Sequence, residues 1–389
     1  MRAWLRRGAA AAVGVVLVLG TGAGPARADG VRDRQWHLRA LQVAEAYTIS
    51  RGKGAIVAVA DTGVAADHPD LAGSLKPGVD LMGDSTDGHV DTDGHGTAMI
   101  GLIAACGHGP GRAHGALGIA PEATVHPIRV GRGLYMPGGT LAPAIHEAVR
   151  AGATVISMSL SGGTDTALRE AVQAAVDADV VLVAGVGNRP EAHRVGYPAA
   201  YPGVLAVGAT RRDGRLGEVS VTGVEVDITA PGVDLVRPSL GGYGRGTGTS
   251  GATAIVAGAA ALIRSKYPHL SAVQVRDRLT STATDKGPPG RDTQYGHGAL
   301  NLLAALSPEL TPKPTPRLWR TQEQWPPAEA AAATDRPAAL KLSGAAYTAM
   351  GCPLLVLVLA GAVCLVLRRR RRSVTSTSGL PEPKSGGIR

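Results

Sequence analysis

Three residues of the chain, Asp61, His95 and Ser250, have the side chains that nucleophilic catalysis requires. Each stands among small residues, in Asp-Thr-Gly, Asp-Gly-His-Gly-Thr and Gly-Thr-Ser-Gly respectively. A serine hydroxyl is a weak nucleophile until a base lies within hydrogen-bonding distance, and histidine is such a base near neutral pH. A carboxylate beside the histidine fixes its tautomer and stabilises the imidazolium that forms during attack. The three residue types therefore suit acyl transfer.

Each of these residues also has a structural interpretation when it is taken alone. An aspartate after a strand is usually a turn or capping residue, and a serine ahead of a helix is usually an N-cap. A single histidine at the start of a helix is more often structural than catalytic. The neighbours of Ser250 favour catalysis, since Gly248 and Gly251 leave room for a substrate backbone. A helix that starts at Gly251 also directs the positive end of its dipole at a developing oxyanion.

A fourth polar residue, Asn188, completes the set. It ends a glycine-flanked turn, Gly-Val-Gly-Asn, directly after an apolar run. Its amide is a neutral donor suited to the negative oxygen of a tetrahedral intermediate. An asparagine in a left-handed turn is the structural alternative, and it is common. The four residues together predict a catalytic site, although no one of them does so alone.

The segments that must position these groups alternate between strands and helices. Short apolar runs bounded by turn residues predict strands at residues 55–60, 124–130, 154–158, 180–184 and 204–210. Longer stretches predict helices at residues 96–106, 141–151, 167–178 and 251–267. Continuous apolar strands that alternate with helices are typical of an α/β fold, with a mostly parallel sheet covered by helices on both faces. Functional groups of such folds gather at the carboxyl ends of the strands.

The three motifs, in the order Asp, His, Ser, resemble those of the subtilisin-like serine proteases, the subtilases. The resemblance extends over about residues 31–306 and includes the Gly-Asn turn. It implies a three-layer subtilisin-like fold and a serine endopeptidase that cleaves proteins or peptides through an acyl-enzyme, with no required cofactor. It also implies that Asp61 orients, that His95 is general base and then acid, and that Ser250 is the nucleophile. Asn188 and the Ser250 amide would form the oxyanion hole.

The same resemblance implies how a substrate is held. The extended segment that pairs with a substrate backbone by strand addition corresponds to Ser159, Leu160, Ser161 and Gly162. The facing wall of the primary specificity pocket corresponds to Gly185 and Gly187. One departure follows the nucleophile, where the family usually has Met-Ala-Ser-Pro and this chain has Gly-Ala-Thr-Ala. The missing proline and the added glycine predict a softer helix start, with lower activity or an altered pocket.

Both ends of the chain resemble targeting segments. Residues 1–28 begin with arginines, continue through an apolar stretch and end in Ala-Arg-Ala, which predicts a signal peptide. Residues 346–367 carry no charge and as a helix reach about 33 Å, enough to span a bilayer. Five arginines follow at once, so residues 368–389 are predicted to be a basic cytoplasmic tail. Residues 29–306 are then the peptidase domain, and residues 307–345 a Pro-rich linker.

The predicted signal peptide, linker and single membrane span together resemble the mycosins, membrane-anchored subtilases of type VII secretion in actinobacteria. Unlike mycosins, which usually have disulfides in this domain, the predicted peptidase domain contains one cysteine, Cys106. The resemblance implies a catalytic domain outside the cell and a membrane secretion complex as partner. The competing interpretation is a structural component of such a complex, with weak or dispensable protease activity.

Charge excludes one class of partner. The net charge is +9, of which residues 1–28 carry +4 and residues 368–389 carry +6, so residues 29–367 carry −1. A near-neutral domain offers no basic surface, and DNA or RNA binding is not predicted. Four aspartates beside the histidine motif leave a structural Ca²⁺ open, although an EF-hand spacing is absent and a solvated acidic loop is preferred. These residues are Asp84, Asp87, Asp91 and Asp93.

Overall fold

The computed structural model describes residues 30–83, 87–133 and 139–308. Its strands are β1 Ile56–Asp61, β2 Val79–Asp80, β3 Cys106–His108, β4 His114–Leu117, β5 Thr124–Arg129, β6 Val155–Met158, β7 Val181–Gly185, β8 Val204–Thr210, β9 Ile228–Pro231, β10 Leu235–Ser239 and β11 Gly242–Gly246. Its helices are α1 Val31–Arg34, α2 Trp36–Ala40, α3 Val43–Ile49, α4 His95–Ala104, α5 Leu141–Arg150, α6 Thr166–Asp177, α7 Thr249–Lys266, α8 Ala272–Ser281 and α9 Leu302–Leu306.

The predicted targeting segments fall outside these ranges. The signal peptide, the membrane span at residues 346–367, the basic tail and the linker from residue 309 onward are not among the described residues. Within the described ranges, no helix has both the length and the apolar character needed to cross a bilayer.

Seven parallel strands form the central sheet, in the order β2-β5-β1-β6-β7-β8-β9. The strands are apolar along most of their length because helices cover both faces of such a sheet. After β1 the chain continues on the side of the sheet that holds β5 and β2, and after β6 it continues on the other side, which holds β7. A crevice therefore opens between the carboxyl ends of β1 and β6. Asp61 is the last residue of β1, and Ser159 directly follows β6. The topology therefore brings two of the predicted site residues to the same crevice.

Two hydrophobic cores lie on opposite faces of the sheet, and alternate residues of each strand contribute to them. In β1, Val57 and Val59 belong to one core, while Ala58 and Ala60 belong to the other. Helices α4 and α7 close the first core, and α5 and α6 close the second. This is the three-layer α/β arrangement that the alternation of strands and helices predicts.

Helix α7 carries the predicted nucleophile and runs through the first core. Residues 251–264 are all buried, so packing on every side holds the helix in place. The helix begins at Thr249, two residues before its predicted start, with Gly248 as the N-cap residue. Ser250 therefore belongs to the first helical turn and is not itself the N-cap.

Two hairpins are absent from the sequence prediction. The predicted helix 96–106 ends at Ala104, and Cys106 instead opens strand β3, which pairs with β4. The Cys106 thiol is free and buried, and it donates to the Asp70 carbonyl at 3.3 Å. The second hairpin, β10–β11, leads directly to the nucleophile. Both hairpins are short and glycine-containing, so neither shows the apolar periodicity that identifies a strand.

The N-terminal residues hold the β10–β11 hairpin against the body of the domain. The Trp36 indole N–H donates to the carbonyls of Val233 at 3.2 Å and Asp234 at 3.1 Å. The Gln35 side chain both donates to and accepts from the backbone of Leu117, at 3.0 and 2.9 Å. Because both side chains are buried, these bonds exchange little with water. Those of Trp36 fix the start of the segment between β9 and α7, and those of Gln35 fix the N-terminal residues to β4.

Candidate active site

Asp61 and His95 form a hydrogen-bonded pair at the start of the crevice. The His95 Nδ1–H donates to Asp61 Oδ1 at 2.7 Å, and the same oxygen accepts the Thr62 backbone N–H at 2.8 Å. The charge of Asp61 is the largest influence on His95 and raises its pKa; burial of the ring opposes this rise, and the hydrogen bond adds to it. With Nδ1 protonated, Nε2 of the neutral ring is the available base.

A second carboxylate, Asp91, fixes the position of this pair. Its Oδ1 accepts from the Thr62 hydroxyl at 2.9 Å and the Gly94 N–H at 2.8 Å, while Oδ2 accepts from the Thr97 N–H at 2.9 Å. Asp91 thereby joins the residue after Asp61 to the first turn of α4, where the helix dipole also favours a negative charge. The motifs of the sequence do not by themselves indicate this role of Asp91. A carboxylate just ahead of a predicted helix start is the signal that could have found it.

The hydrogen bonds of Asp91 also concern the structural Ca²⁺ that the sequence leaves open at the acidic loop. Both of its oxygens accept from protein donors, so they are not free for a metal ion. Within the described ranges, no three His, Cys, Asp or Glu side chains are grouped so that they could hold a metal. Asp84, the first member of the predicted acidic loop, lies outside those ranges.

Ser250 lies in the same cleft, whose volume is about 530 Å³ and whose walls include Asp61, His95 and Asn188. Its hydroxyl donates to the Ser159 carbonyl at 3.4 Å, a long hydrogen bond, and makes none to His95. The Ser159 hydroxyl donates in return to the Ser250 carbonyl at 3.1 Å. The Ser250 hydroxyl must therefore turn towards His95 for attack. Catalytic hydrogen bonds are often loose until a substrate is bound.

Asn188 is held so that its amide hydrogens are left for a ligand. Its Oδ1 accepts from the Thr249 N–H at 2.8 Å and from the Thr249 hydroxyl at 3.1 Å. The oxygen end of the amide is thus fixed, and the NH₂ end is the donor that remains in the cleft. The Ser250 N–H lies in the first turn of α7, where backbone N–H groups have no acceptor within the helix. The two donors can hold an oxyanion beside Ser250.

The four residues predicted to pair with a substrate backbone divide into two groups. Ser159, Leu160 and Ser161 line the cleft. Gly162 does not: its N–H and C=O both pair with Tyr197, at 2.9 and 3.0 Å. These two groups are therefore already taken, and the backbone positions available to a substrate belong to the three residues before it.

The two predicted pocket glycines have different surroundings. Gly185 ends β7 beneath α7, where a Cβ would lie 3.1 Å from the hydroxyls of Thr249 and Thr253. It allows close packing of the nucleophile helix and is not among the residues that line the cleft. Gly187 has φ +106°, and a Cβ there would lie 3.4 Å from the Ser161 hydroxyl. Gly187 is therefore in contact with Ser161, which lines the cleft, but like Gly185 it is not itself among the lining residues.

The glycine that follows the nucleophile has a packing reason. A Cβ at Gly251 would lie 2.7 Å from Leu235 Cδ1, so the side chain of Leu235 occupies the space beside the start of α7. The Thr253 hydroxyl donates to the Thr249 carbonyl at 2.9 Å, within the first turns of the helix. The helix start is thus filled from the β10 strand and not by a large residue after the serine.

Comparison with known proteins agrees with this geometry. The profile of the subtilase family, peptidase family S8, matches residues 52–298.

The chain belongs to the subtilase family.

Its relatives include several subtilisins. It is 40% identical to subtilisin E of Bacillus subtilis (strain 168) over 270 residues, which cover 67% of this chain and 67% of that protein. It is also 40% identical to subtilisin DY of Bacillus licheniformis over 266 residues, covering 66% of this chain and 92% of that one. Among solved structures, it is similar to that of MycP1 with the N-terminal propeptide removed, with a TM-score of 0.63 and 29% sequence identity. The similarity covers 72% of this chain and 99% of that chain.

This subtilase is a serine endopeptidase, and the geometry of the cleft suits an acyl-enzyme cycle. The arrangement allows His95 to take the Ser250 proton as the serine oxygen bonds to the scissile carbonyl carbon, with Asp61 beside the imidazolium that forms. Asn188 and the Ser250 N–H would hold the oxyanion of the tetrahedral intermediate. His95 would then give the proton to the leaving amine, which leaves an ester on Ser250. Water would attack that ester with His95 again as base.

Replacing Asn188 by alanine is expected to lower kcat by roughly 10²–10³-fold, the loss known for this donor in subtilisin. KM should change little, because the donor acts mainly on the transition state. Steady-state kinetics on a peptide substrate measure both values. Asn188→Asp is the matched variant, since it keeps an acceptor for Thr249 and loses the amide hydrogens. If Asn188→Asp were as active as the wild type, the residue would serve only to hold Thr249.

Proposed function

We propose that this subtilase is a membrane-anchored, extracellular endopeptidase that processes protein substrates of a type VII secretion system. The similarity to MycP1, over 99% of that chain, is the observation that carries the proposal. Mycosins are the subtilases of that secretion pathway, and the predicted segments at the two ends of this chain resemble theirs. The substrates are then exported proteins, and the partner is a membrane secretion complex.

The anchor follows from the composition of the C-terminal segment. Residues 346–367 carry no charge, and five arginines follow them directly. Such a segment spans the bilayer with its basic end in the cytoplasm, because arginine-rich flanks are retained on that side. A cleaved signal peptide at residues 1–28 then leaves the catalytic domain outside the cell. The Pro-rich linker separates this domain from the membrane surface.

The chemistry proposed for this site needs no cofactor. Ser250, His95 and Asp61 supply the nucleophile, the base and the orienting carboxylate, and two N–H donors supply the oxyanion hole. Acyl transfer to serine and then to water requires no redox or metal chemistry beyond these groups. A structural Ca²⁺ away from the site is not part of the proposal.

The test compares two variants with the wild type in cells that carry the chain. Deletion of residues 346–367 should release the protein from membrane fractions, and Ser250→Ala should leave it there while processing of exported proteins stops. Fractionation, protease treatment of intact cells and analysis of the secreted proteins measure these outcomes. Normal secretion and processing in Ser250→Ala, together with loss of secretion in the deletion variant, would instead indicate a structural component of the complex.

A further inference from the structure

Arg237 lies on the wall of the catalytic cleft and is partly buried there. It belongs to β10 and packs across the hairpin onto Gly246, the last residue of β11. A Cβ at Gly246 would overlap the Arg237 guanidinium. Gly246 therefore leaves space for this cation directly over the strand that leads to Ser250.

Among the described residues, the Arg237 guanidinium has no counter-ion of its own. In the described part of the chain it makes no hydrogen bond or ion pair, whereas Arg245 on the facing strand pairs with Asp234 at 2.6 Å. Burial lowers the pKa of Arg237, and the charges of Asp61 and Asp93 raise it. A partly buried cation without a hydrogen-bonded partner destabilises the folded state, which is typical of a group placed for a ligand.

The two nearby carboxylates each accept hydrogen bonds from other groups through one oxygen, and the buried Asp61 Oδ2 accepts none from the described residues, Arg237 included. Asp61 Oδ1 accepts from His95 and from the Thr62 N–H. Asp93 Oδ1 accepts the His95 backbone N–H at 3.2 Å. They attract Arg237 through space without satisfying its hydrogen bonds. The five N–H groups of the guanidinium remain for a group that enters the cleft.

The position of β10 beside the His95 helix indicates which part of a substrate Arg237 meets. Pro238, the next residue of β10, packs against Gly101 of helix α4. Leu240 packs against Gly94, directly before His95. β10 therefore lies along the His95 helix, which puts the guanidinium on the His95 side of the cleft, and its charge acts on the imidazole. His95 must reach the leaving amine to protonate it, so the segment after the scissile bond departs past this side. The acyl side is assigned to the wall that Ser159, Leu160 and Ser161 form.

We propose that Arg237 is a specificity-determining residue that binds a substrate carboxylate on the leaving-group side of the scissile bond. The proposal rests on the endopeptidase function and adds a substrate class, peptides with an acidic group shortly after the cleaved bond. A guanidinium binds a carboxylate through two parallel hydrogen bonds, which gives direction as well as charge. The carboxylate comes from an Asp or Glu side chain or from the free C-terminus of a substrate cleaved near its end.

Peptide pairs with the same acyl side test the proposal on the full-length protein. One peptide has Glu and the other Gln at each of the first three positions after the cleaved bond, and both end in an amide. A third peptide has Gln and a free C-terminal carboxylate, which separates the two sources of charge. The wild type should prefer a carboxylate, and Arg237→Gln should lower the Glu-to-Gln ratio of kcat/KM by about 10–100-fold. Arg237→Lys should retain part of the preference.

Arg245→Gln is the matched control, because Arg245 lies on the same hairpin and is paired with Asp234. It should keep the wild-type ratio. Labelling of Arg237→Gln by a fluorophosphonate reports whether the variant is folded, and Arg237→Lys carries the test if it is not. Removing the guanidinium should also move the acid limb of kcat/KM to higher pH, because its charge lowers the pKa of His95.

The outcomes separate this proposal from the endopeptidase function. Cleavage of the Gln peptide by the wild type establishes the protease, and the Glu-to-Gln ratio establishes the role of Arg237. An active wild type that preferred neither the Glu peptides nor the peptide with a free C-terminus over the Gln amide, or an equal preference in Arg237→Gln, would overturn the proposal alone. An acid limb that did not move would place the guanidinium away from His95 and overturn the leaving-group assignment. A wild type that cleaved no peptide would overturn both.

Discussion

Replacing Ser250 by alanine is expected to lower kcat by roughly 10⁶-fold, the loss measured for the nucleophile of subtilisin. The variant keeps the cleft and the Asp61–His95 pair but has no oxygen to form the acyl ester. A residual rate above that in water should remain, since the oxyanion donors and substrate binding are unchanged. Hydrolysis of a peptide substrate and labelling by a fluorophosphonate measure the two consequences.

Ser265→Ala is the control for the labelling experiment. Ser265 lies on the same helix α7, near its far end, and its hydroxyl donates to the Lys53 carbonyl at 2.7 Å. This variant should be labelled like the wild type, because the Ser265 hydroxyl that it loses is bonded to a backbone carbonyl and not to a base. Labelling of Ser250→Ala at the wild-type rate would show that another residue is the nucleophile.

Replacing Asp61 by asparagine is expected to lower kcat by about 10⁴-fold, the effect of the same change in a trypsin-like triad. The side chain keeps its size, but its amide can donate to the imidazole and favour the wrong tautomer. Asp61 is almost fully buried, so no water replaces its charge beside His95. The loss should appear in kcat measured at the pH optimum of each protein.

The pH profile gives a second readout of the same change. His95 acts as a base only when neutral, and the Asp61 charge raises its pKa above 6.5. Wild-type kcat/KM should therefore fall as pH decreases through a value above 6.5, where the ring becomes protonated. Asp61→Asn removes the largest cause of that rise, so its acid limb should move to lower pH. The direction of the shift is independent of the loss in kcat.

Asp93→Asn is the comparison variant for this shift. Asp93 also raises the pKa of His95 by its charge, but it bonds the backbone N–H of His95 and not the ring. Its acid limb should move in the same direction by a smaller amount, without the loss caused by the wrong tautomer. A profile of Asp61→Asn that overlaid the wild type, or a shift to higher pH, would show that Asp61 does not control the protonation of His95.

The catalytic residues could be predicted from the chain because each is surrounded by a local pattern. Asp61 follows an apolar strand, and His95 and Ser250 open apolar helices, so local periodicity locates all three at element ends. The roles of Asp91 and Arg237 were not predictable in this way. Asp91 acts through hydrogen bonds to Thr62 and Thr97, which other elements bring to it. Arg237 lies on a hairpin whose glycine-rich partner strand has no periodic signal.

The surroundings of Gly162 and Gly185 also could not be predicted from local sequence patterns. Their positions beside the predicted strands are correct, but Tyr197 occupies the backbone of Gly162, and Gly185 lies beneath α7. Both contacts join segments far apart along the chain. Whether a backbone group is free for a substrate depends on such contacts, which no local pattern records.

The amino-acid sequence by itself determined the α/β class, the order of the central strands along the chain and the three side chains proposed for catalysis, because these depend on short-range periodicity and on residue chemistry. Only the tertiary structure decided which groups reach one another. It placed Asp61 at 2.7 Å from His95, turned the Asn188 amide through its bonds to Thr249, and left Arg237 without a hydrogen-bonded partner among the described residues beside them. These properties depend on distances between segments tens of residues apart, and packing of the two cores on the sheet sets those distances.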